Sequence, residues 1–263
     1  MPTDKPRALI EIAYAEAAQE YLRSLPPEHF MEATAQGTQR KITLESLDLV
    51  HAQRPEVQIF NELLVQYPRK GQKRPGQVVP DNMVVVHPEP IRANGSYDVP
   101  IQPVGPFWVL EYVSKHNKRK DYDDNFDRYE KELKVPYFLL FYPDNQELTL
   151  YRHTGQKYQA VPPNEQGRYP IPELEMEVGL LDGWARFWFR GQLLPLPADL
   201  QRELDEARRQ LQEEKQRAEH EKQRAEQAMQ RSTDLQQRLE QEQQARQALE
   251  RELQELRARL QQS

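Results

Sequence analysis

The sequence predicts an α/β domain with a mixed β-sheet, followed by a long C-terminal α-helix. Two observations support this prediction. Apolar segments of strand length alternate with segments of helical periodicity through the first 195 or so residues, which hold all three Trp, twelve Tyr, eight Phe and ten Gly. From Asp199 onward the chain has no Trp, Tyr, Phe, Gly or Pro. The low overall hydrophobicity therefore comes from the tail, and the first part is large enough to bury an ordinary core.

The elements before residue 90 are predicted from periodicity and from turn and capping residues. A short helix is expected around Ala8–Leu22, and Thr43 is a suitable N-cap for a helix over Leu44–Val50. Two strands and a basic connection that resembles a long hairpin loop follow, in the order Val57–Val65, Pro68–Gly76 and Val78–Val86.

The elements after residue 90 complete the α/β pattern. Phe107–Val113 is predicted to be a third strand, and Asp121–Leu133 has helical spacing. Tyr137–Tyr142 is a fully apolar strand, whereas Leu148–Arg152 and Ala185–Arg190 alternate as half-exposed strands do. The order of helix, three strands, helix, strand and further strands indicates a mixed sheet.

The tail keeps one heptad register, which predicts a helix about 90 Å long between Leu200 and Leu260. Its d positions include Leu200, Ala207, Leu235, Leu249 and Leu256, and its a positions include Leu204, Leu211, Ala218, Ala225, Leu239, Leu253 and Leu260. These a and d positions form the seam that would contact a partner helix. The seam is only weakly apolar, because Glu214, Glu221 and Glu242 fall at d and Ser232 and Arg246 at a. The helix over residues 200–260 is either a coiled coil that forms a homodimer or a solvated single helix held by i,i+4 ion pairs.

Composition excludes several classes of protein. The net charge is −6, and residues 199–263 carry 13 Lys and Arg against 15 Asp and Glu, so about −4 lies in the rest. This balance argues against a broad basic face for nucleic acid but allows a local basic groove. The absence of Cys excludes disulfides and thiol catalysis, and the sequence lacks serine-hydrolase, Walker and zinc-protease motifs. With no apolar signal segment or membrane span, a cytoplasmic protein is predicted.

Two acidic residues interrupt apolar runs that are predicted to be buried strands. Asp81 follows Val79-Pro80, and Glu111 lies within Phe107–Val113. A carboxylate in such a run is costly to bury unless it is paired or binds a metal. If they lie on neighbouring strands, the two carboxylates could bind Mg²⁺ or Mn²⁺. Glu45 on the preceding helix could complete the coordination shell of the metal. The alternatives are a turn carboxylate bonded to nearby backbone for Asp81 and a salt bridge for Glu111.

An ordered series of segments resembles the PD-(D/E)XK nuclease superfamily, and within it the bacterial Uma family of restriction endonucleases. The series covers roughly residues 40–195 and consists of Arg54–Leu64, Val79–Val86, Val109–Ser114, Asp121 to Tyr129, Val135–Asp144, Ile171–Leu174 and Gly179–Leu181. It implies a restriction-endonuclease-like αβββαβ core with Asp81 and Glu111 as metal ligands. We accordingly expect an N-terminal polar and helical segment at 1–40, an endonuclease-like domain at 41–196 and a coiled-coil tail at 197–263.

The resemblance departs from the family pattern at the catalytic lysine. The superfamily position, two residues after the glutamate, is Val113, and the position where the Uma branch often has lysine, four residues before the tyrosine, is Asn125. Because side chains two apart on a strand share a face, Lys115 is the best substitute. Ser114 and Asp121 would shape the site.

Two functions follow from these observations. The first is a Mg²⁺-dependent endonuclease that hydrolyses phosphodiester bonds of DNA through Asp81, Glu111 and Lys115. The second is a catalytically impaired nuclease fold that acts as a binding or scaffolding module through its coiled coil. The displaced lysine favours the second, and the retention of both carboxylates favours the first.

Overall fold

The computed structural model describes residues 6–25, 34–113 and 124–260, with the side chains of 250 and 252–260 excepted. The chain divides into two units, Met1–Pro197 and Ala198–Ser263. Three α-helices lie in the described part of the chain: α1 Arg7–Ser24, α2 Thr34–Gln53 and α3 Pro197–Leu260. A π-helix, Arg128–Leu133, and a short 3₁₀-helix, Pro172–Leu174, also belong to the first unit.

The strands of the first unit form three sheets. In chain order they are β1 Val57–Asn61, β2 Leu64–Tyr67, β3 Gly76–Val78, β4 Asn82–Val86, β5 Ser96–Asp98, β6 Trp108–Tyr112, β7 Tyr137–Tyr142, β8 Glu147–His153, β9 Tyr158–Ala160, β10 Arg168–Ile171, β11 Met176–Leu181, β12 Trp184–Phe189 and β13 Gln192–Leu193. The sheet orders are β1-β4-β6-β7-β8-β9, β10-β11-β12-β13 and β3-β2-β5.

The six-stranded sheet confirms the predicted αβββαβ core with a mixed sheet. Strands β6 and β7 are parallel, whereas β1–β4, β4–β6, β7–β8 and β8–β9 are antiparallel. The core elements are α2, β1, β4, β6, the π-helix and β7, in chain order. A parallel β6–β7 pair needs a crossover connection, and the π-helix lies in it.

Two strands predicted as continuous are each divided in the structure. Between β1 and β2, Glu62 has a φ of 46°, a left-handed conformation that breaks the extended run. Between β3 and β4 the chain passes through Asp81. The halves join different sheets, because β1 and β4 pair in the large sheet while β2 and β3 form the predicted hairpin in the small one.

Two further predictions were wrong in detail. Thr43 is not an N-cap, because α2 starts nine residues earlier and Thr43 is buried in its middle. Gln39, a polar residue buried on the same helix, joins α2 to β12, because its side-chain amide donates to the carbonyl of Ala185 and accepts from the Ala185 N–H, at 2.9 Å each. The strand β12 is buried from Ala185 to Phe189 instead of half-exposed, and helix α2 packs against it.

Both faces of the large sheet are covered by apolar residues. One core contains Trp108, Leu110 and Tyr112 of β6, and the other contains Val109 and Val113. Alternate residues of the strand therefore point into different cores, and β6 is buried along its whole length. Any polar side chain on β6 must find partners inside the protein.

The helix α3 forms nearly all of the second unit and is 64 residues long. Its described side chains from Gln201 to Leu249 are exposed. In the described ranges, no helix is long and apolar enough to cross a membrane.

A carboxylate on the π-helix ties it to the β2–β3 hairpin. Glu132 accepts a hydrogen bond of 2.5 Å from the Tyr67 hydroxyl and one of 2.6 Å from Nη2 of Arg69. Burial alone would raise the pKa of the Glu132 carboxyl, but these hydrogen bonds outweigh it and hold the pKa below its ordinary value.

We therefore expect Glu132 to stabilise the fold only while it is ionised. A carboxyl with a lowered folded-state pKa stabilises above its unfolded pKa and loses that contribution as the pH falls through its folded pKa. Glu132→Gln should lower the free energy of unfolding by about 1 kcal/mol at pH 7. Urea denaturation at pH 7, 5 and 3 should show the difference from wild type shrinking with acidification. Glu20→Gln, which removes an exposed partner of Arg74, is the control, and a constant difference for Glu132→Gln would contradict the assignment.

Candidate metal and nuclease site

The register of β4 and β6 brings the two predicted carboxylates to one edge of the sheet. Asn82 pairs with Leu110 in this antiparallel ladder, so the next position along each strand sets Asp81 against Glu111. Opposed residues of an antiparallel pair share a face of the sheet. Asp81 and Glu111 therefore belong to the face of the sheet that carries Met83 and Val109, whose core also contains Val113.

Asp81 is held by the backbone of β6. Its Oδ2 accepts a hydrogen bond of 2.6 Å from the N–H of Tyr112, the residue next to Glu111. Its Oδ1 lies 3.8 Å from Nη2 of Arg40, and the same nitrogen lies 2.7 Å from Oε1 of Glu62. The Asp81 side chain is 22% exposed, so its carboxylate is accessible to a ligand.

Glu111 is more deeply buried, at 5% exposure. Its Oε1 accepts a hydrogen bond of 2.5 Å from the Tyr129 hydroxyl and one of 3.2 Å from Nδ2 of Asn125. Arg128 donates in turn to Oδ1 of Asn125 at 3.3 Å, which orients the amide with its NH₂ group toward Glu111. Three residues of one helical segment thus determine the position of the carboxylate.

Two buried tyrosines experience both negative charges. Burial raises the pKa of Tyr129 well above its usual value, and the charge and hydrogen bond of Glu111 and the charge of Asp81 raise it further. Burial likewise raises the pKa of Tyr112, with added contributions from the charges of Asp81 and Glu111. Both hydroxyls therefore stay protonated near neutral pH, and Tyr129 remains a donor to Glu111.

Helix α2 supports the end of β6 from the opposite face. The Tyr112 hydroxyl donates to Oδ1 of Asn82 at 2.7 Å and lies 2.6 Å from Oγ1 of Thr43, which has to donate because a phenol has one proton. Gln36 of α2 donates to the backbone carbonyl of Tyr112 at 2.7 Å. These bonds fix the residue whose N–H holds Asp81.

The remaining predicted site residues are Glu45, Ser114, Lys115 and Asp121. Glu45 pairs with Lys41, at 3.8 Å, and lies nine residues after Gln36, which at about 100° per residue places it on the opposite side of α2. The role of Glu45 in the metal shell stays a prediction. Ser114, Lys115 and Asp121 lie outside the described residues.

Sequence reasoning missed Arg40 and treated Tyr129 as a core residue. Tyr129 is indeed buried, but its hydroxyl bonds Glu111. A signal for this role was present, because Asn125 and Tyr129 are four residues apart and can share one side of a helix. Arg40 had no such signal, since its contact with Asp81 depends on how α2 packs.

The carboxylate pair has the chemistry of a site for a hard divalent cation. Mg²⁺ is commonly bound by one or two carboxylates, with waters and substrate phosphate completing the shell. Among the residues that the structure describes, no group of three or more His, Cys, Asp or Glu side chains could hold a metal ion. A cation between Asp81 and Glu111 would therefore depend on oxygen ligands from outside these side chains.

Comparison with known proteins identifies the family of this chain. The model of the Uma2 family, described as "Putative restriction endonuclease", matches residues 14–182. This match spans more than half of the chain. It includes Asp81, Glu111 and the helical segment whose Asn125 and Tyr129 side chains donate hydrogen bonds to Glu111. The chain belongs to the Uma2 family.

A solved structure gives a second comparison. It is a crystal structure of a "putative nuclease belonging to DUF820" from Anabaena variabilis, 19% identical to this chain. The alignment covers 55% of this chain and 75% of that one, with a TM-score of 0.41. Among curated proteins, none matches the chain.

Tyr129→Phe should destabilise the protein more than removal of an ordinary buried tyrosine hydroxyl. Tyr129 donates to a buried carboxylate, and hydrogen bonds to charged groups contribute about 1.5–3 kcal/mol. Tyr158→Phe is the matched control, because the hydroxyl of Tyr158 donates at 2.9 Å to the neutral carbonyl of Val135 and should contribute about 1 kcal/mol. Urea denaturation of both variants tests this, and an equal loss would show that the charge of Glu111 is irrelevant.

Proposed function

We propose that this protein is a metal-dependent endonuclease that hydrolyses phosphodiester bonds of DNA, with Asp81 and Glu111 as ligands of Mg²⁺ or Mn²⁺. The observation that carries the proposal is the β4–β6 register, which sets the two carboxylates opposite each other. Membership of a restriction endonuclease family supports nucleic acid as the substrate. Neither carboxylate is explained by folding alone, because an apolar pair at this edge of the sheet would be cheaper to bury.

The protein's own residues hold these carboxylates in place. Tyr129 and Asn125 direct Oε1 of Glu111, and the N–H of Tyr112 directs Oδ2 of Asp81. A divalent cation bound by them would polarise the scissile phosphate and lower the pKa of an attacking water. Arg40 lies between two carboxylates, with its Nη2 2.7 Å from Oε1 of Glu62 and 3.8 Å from Oδ1 of Asp81, so its positive charge faces both.

Stabilisation of the developing charge on phosphate requires a further cationic group. Lys115, two residues after Val113 in the sequence, remains the predicted donor, and Ser114 and Asp121 remain predicted supporting residues. Asn125, at the position of the Uma-branch lysine, is directed at Glu111 and holds it through a neutral amide. The proposed site thus keeps the geometry of the lysine position without its charge.

Loss of either carboxylate should abolish cleavage of DNA. We expect Asp81→Asn and Glu111→Gln each to lower the rate of plasmid nicking in Mg²⁺ or Mn²⁺ by more than about 100-fold, since each removes an anionic ligand while preserving shape. Glu173→Gln is the matched control, because this carboxylate is held at 2.7 Å by both Tyr137 and Arg152 elsewhere in the domain. Its nicking rate should match wild type.

Binding of the metal can be measured separately from cleavage. Calorimetric titration with Mn²⁺ should give one site in wild type that both carboxylate variants lose. Binding without cleavage would favour the scaffolding alternative, in which the site is present but impaired. Equal nicking by wild type and both variants would remove the enzyme assignment.

Asn125→Lys should raise the nicking rate. The substitution places an ammonium where the resemblance implies a catalytic lysine, and one well-placed cationic or hydrogen-bonding group contributes about 100-fold to a rate. Asn125→Met, of similar length and without charge, is the control and should not increase nicking. No gain with lysine would show that this position does not reach the reacting phosphate and would leave Lys115 as the candidate.

A further inference from the structure

The helix α3 exposes a stripe of leucines at both of its ends. Leu211 is 52% exposed, Leu235 67% and Leu249 61%, and all three lie on the a/d seam. A 64-residue helix of good helix formers can persist alone, but exposed leucines at several a and d positions indicate a face that is covered by a partner. The identity of that partner follows from the charges in the seam.

A parallel, in-register pair of these helices would be opposed by its own charges. Each seam residue would then face its own copy, so that Glu214, Glu221, Glu242 and Arg246 would each meet a like charge. Four layers of like charges in a buried seam oppose association strongly. The stripe therefore does not suit a parallel homodimer.

Reversal of one helix removes all four conflicts. We propose that α3 binds α3 of a second copy of this chain in an antiparallel coiled coil centred on Gln230. In this register each a residue of one helix faces a d residue of the other, and the two residue numbers add up to 460. The facing pairs are Leu211 with Leu249, Ala218 with Glu242, Ala225 with Leu235, Ser232 with Ala228, Leu239 with Glu221, and Arg246 with Glu214, and each occurs twice.

The pairs are chemically complementary. Arg246, the only cation at these a and d positions between Leu211 and Leu249, meets Glu214, whose carboxylate it can bind through two N–H groups. Glu221 and Glu242 face uncharged residues, along which their aliphatic stems can pack with the carboxylates directed to water. The centre, Ser232 against Ala228, combines small residues, which allows close approach of the helices.

Flanking residues add a second feature of this register. At the e positions Met229, 77% exposed in the single chain, would meet Met229 of the second copy and cover it. At the g positions Arg231 would meet its own copy and Arg224 would meet Arg238, all on the solvent side, where salt screens the repulsion.

The absence of cysteine in this chain permits a direct test of orientation. Full-length Leu211→Cys alone should not form a disulfide, because in the antiparallel pair the two copies of this position lie roughly 57 Å apart. Co-expressed Leu211→Cys and Leu249→Cys chains should form a covalent heterodimer under mild oxidation, and the double variant a covalent homodimer. Gln212→Cys with Gln247→Cys, both on the outer face, is the matched control and should stay reduced.

Two outcomes would overturn the proposal. Efficient disulfide formation by Leu211→Cys alone would show a parallel pair. A monomer mass for full-length wild type by sedimentation equilibrium, with no disulfide in any combination, would show that α3 is a solvated single helix.

A charge exchange tests the register independently. Arg246→Glu should weaken dimerisation by roughly tenfold, because two attractive pairs per dimer become repulsive. Adding Glu214→Arg should restore the wild-type dissociation constant, which a parallel pair could not do because each residue would still face its own copy. Arg251→Glu, on the outer face, should leave it unchanged. Failure of the second substitution to rescue the first would rule out this register.

Discussion

The buried carboxylate of Glu111 is the constraint around which one edge of this domain is arranged. It lies on a strand that is buried along its length, where an unpaired charge would destabilise the fold by several kcal/mol. The buried hydroxyl of Tyr129 and the buried amide of Asn125 offset this cost, because both donate hydrogen bonds to the carboxylate. Both residues lie in the segment that precedes β7. The need to pair one side chain thus fixes how that segment packs on the sheet.

Asp81 occupies a different environment, although it faces the same side of the sheet. It is partly exposed, accepts from a backbone N–H and lies near an arginine. One carboxylate is therefore held by neutral donors in the interior, and the other by the backbone at the rim. Under the proposed function, this division gives the cation one rigid ligand and one that water and phosphate can reach. The left-handed turn at Glu62 belongs to the same arrangement, since its N–H donates at 3.2 Å to the carbonyl of Asp81.

The same requirement for charge pairing governs the tail. Glutamates and an arginine at seam positions look like defects when α3 is considered alone or beside an identical parallel copy. In the proposed antiparallel register, the arginine meets a glutamate and the other glutamates meet uncharged residues. In the first unit and in the proposed pairing of the tail alike, the placement of charged residues, more than that of apolar ones, limits which arrangements are possible.

Several properties were determined by the sequence itself. Apolar periodicity predicted α1, β6, β7 and the long α3, because local pattern and burial agree in these elements. The residues Asp81 and Glu111 were identifiable because a carboxylate in an apolar run is conspicuous. The division of Val57–Val65 and Val78–Val86 between two sheets was not predictable, since both halves of each run are apolar and only strand pairing distinguishes them.

The tertiary structure alone decided the partners of the site. The contacts of Arg40 with Asp81, of Gln39 with Ala185 and of Tyr129 with Glu111 join residues that are far apart in the chain or belong to different elements. Such contacts depend on the crossing of α2 over the sheets and on strand register, which no local pattern encodes. The two carboxylates could thus be identified from the sequence, whereas the residues that contact them depend on how the elements pack.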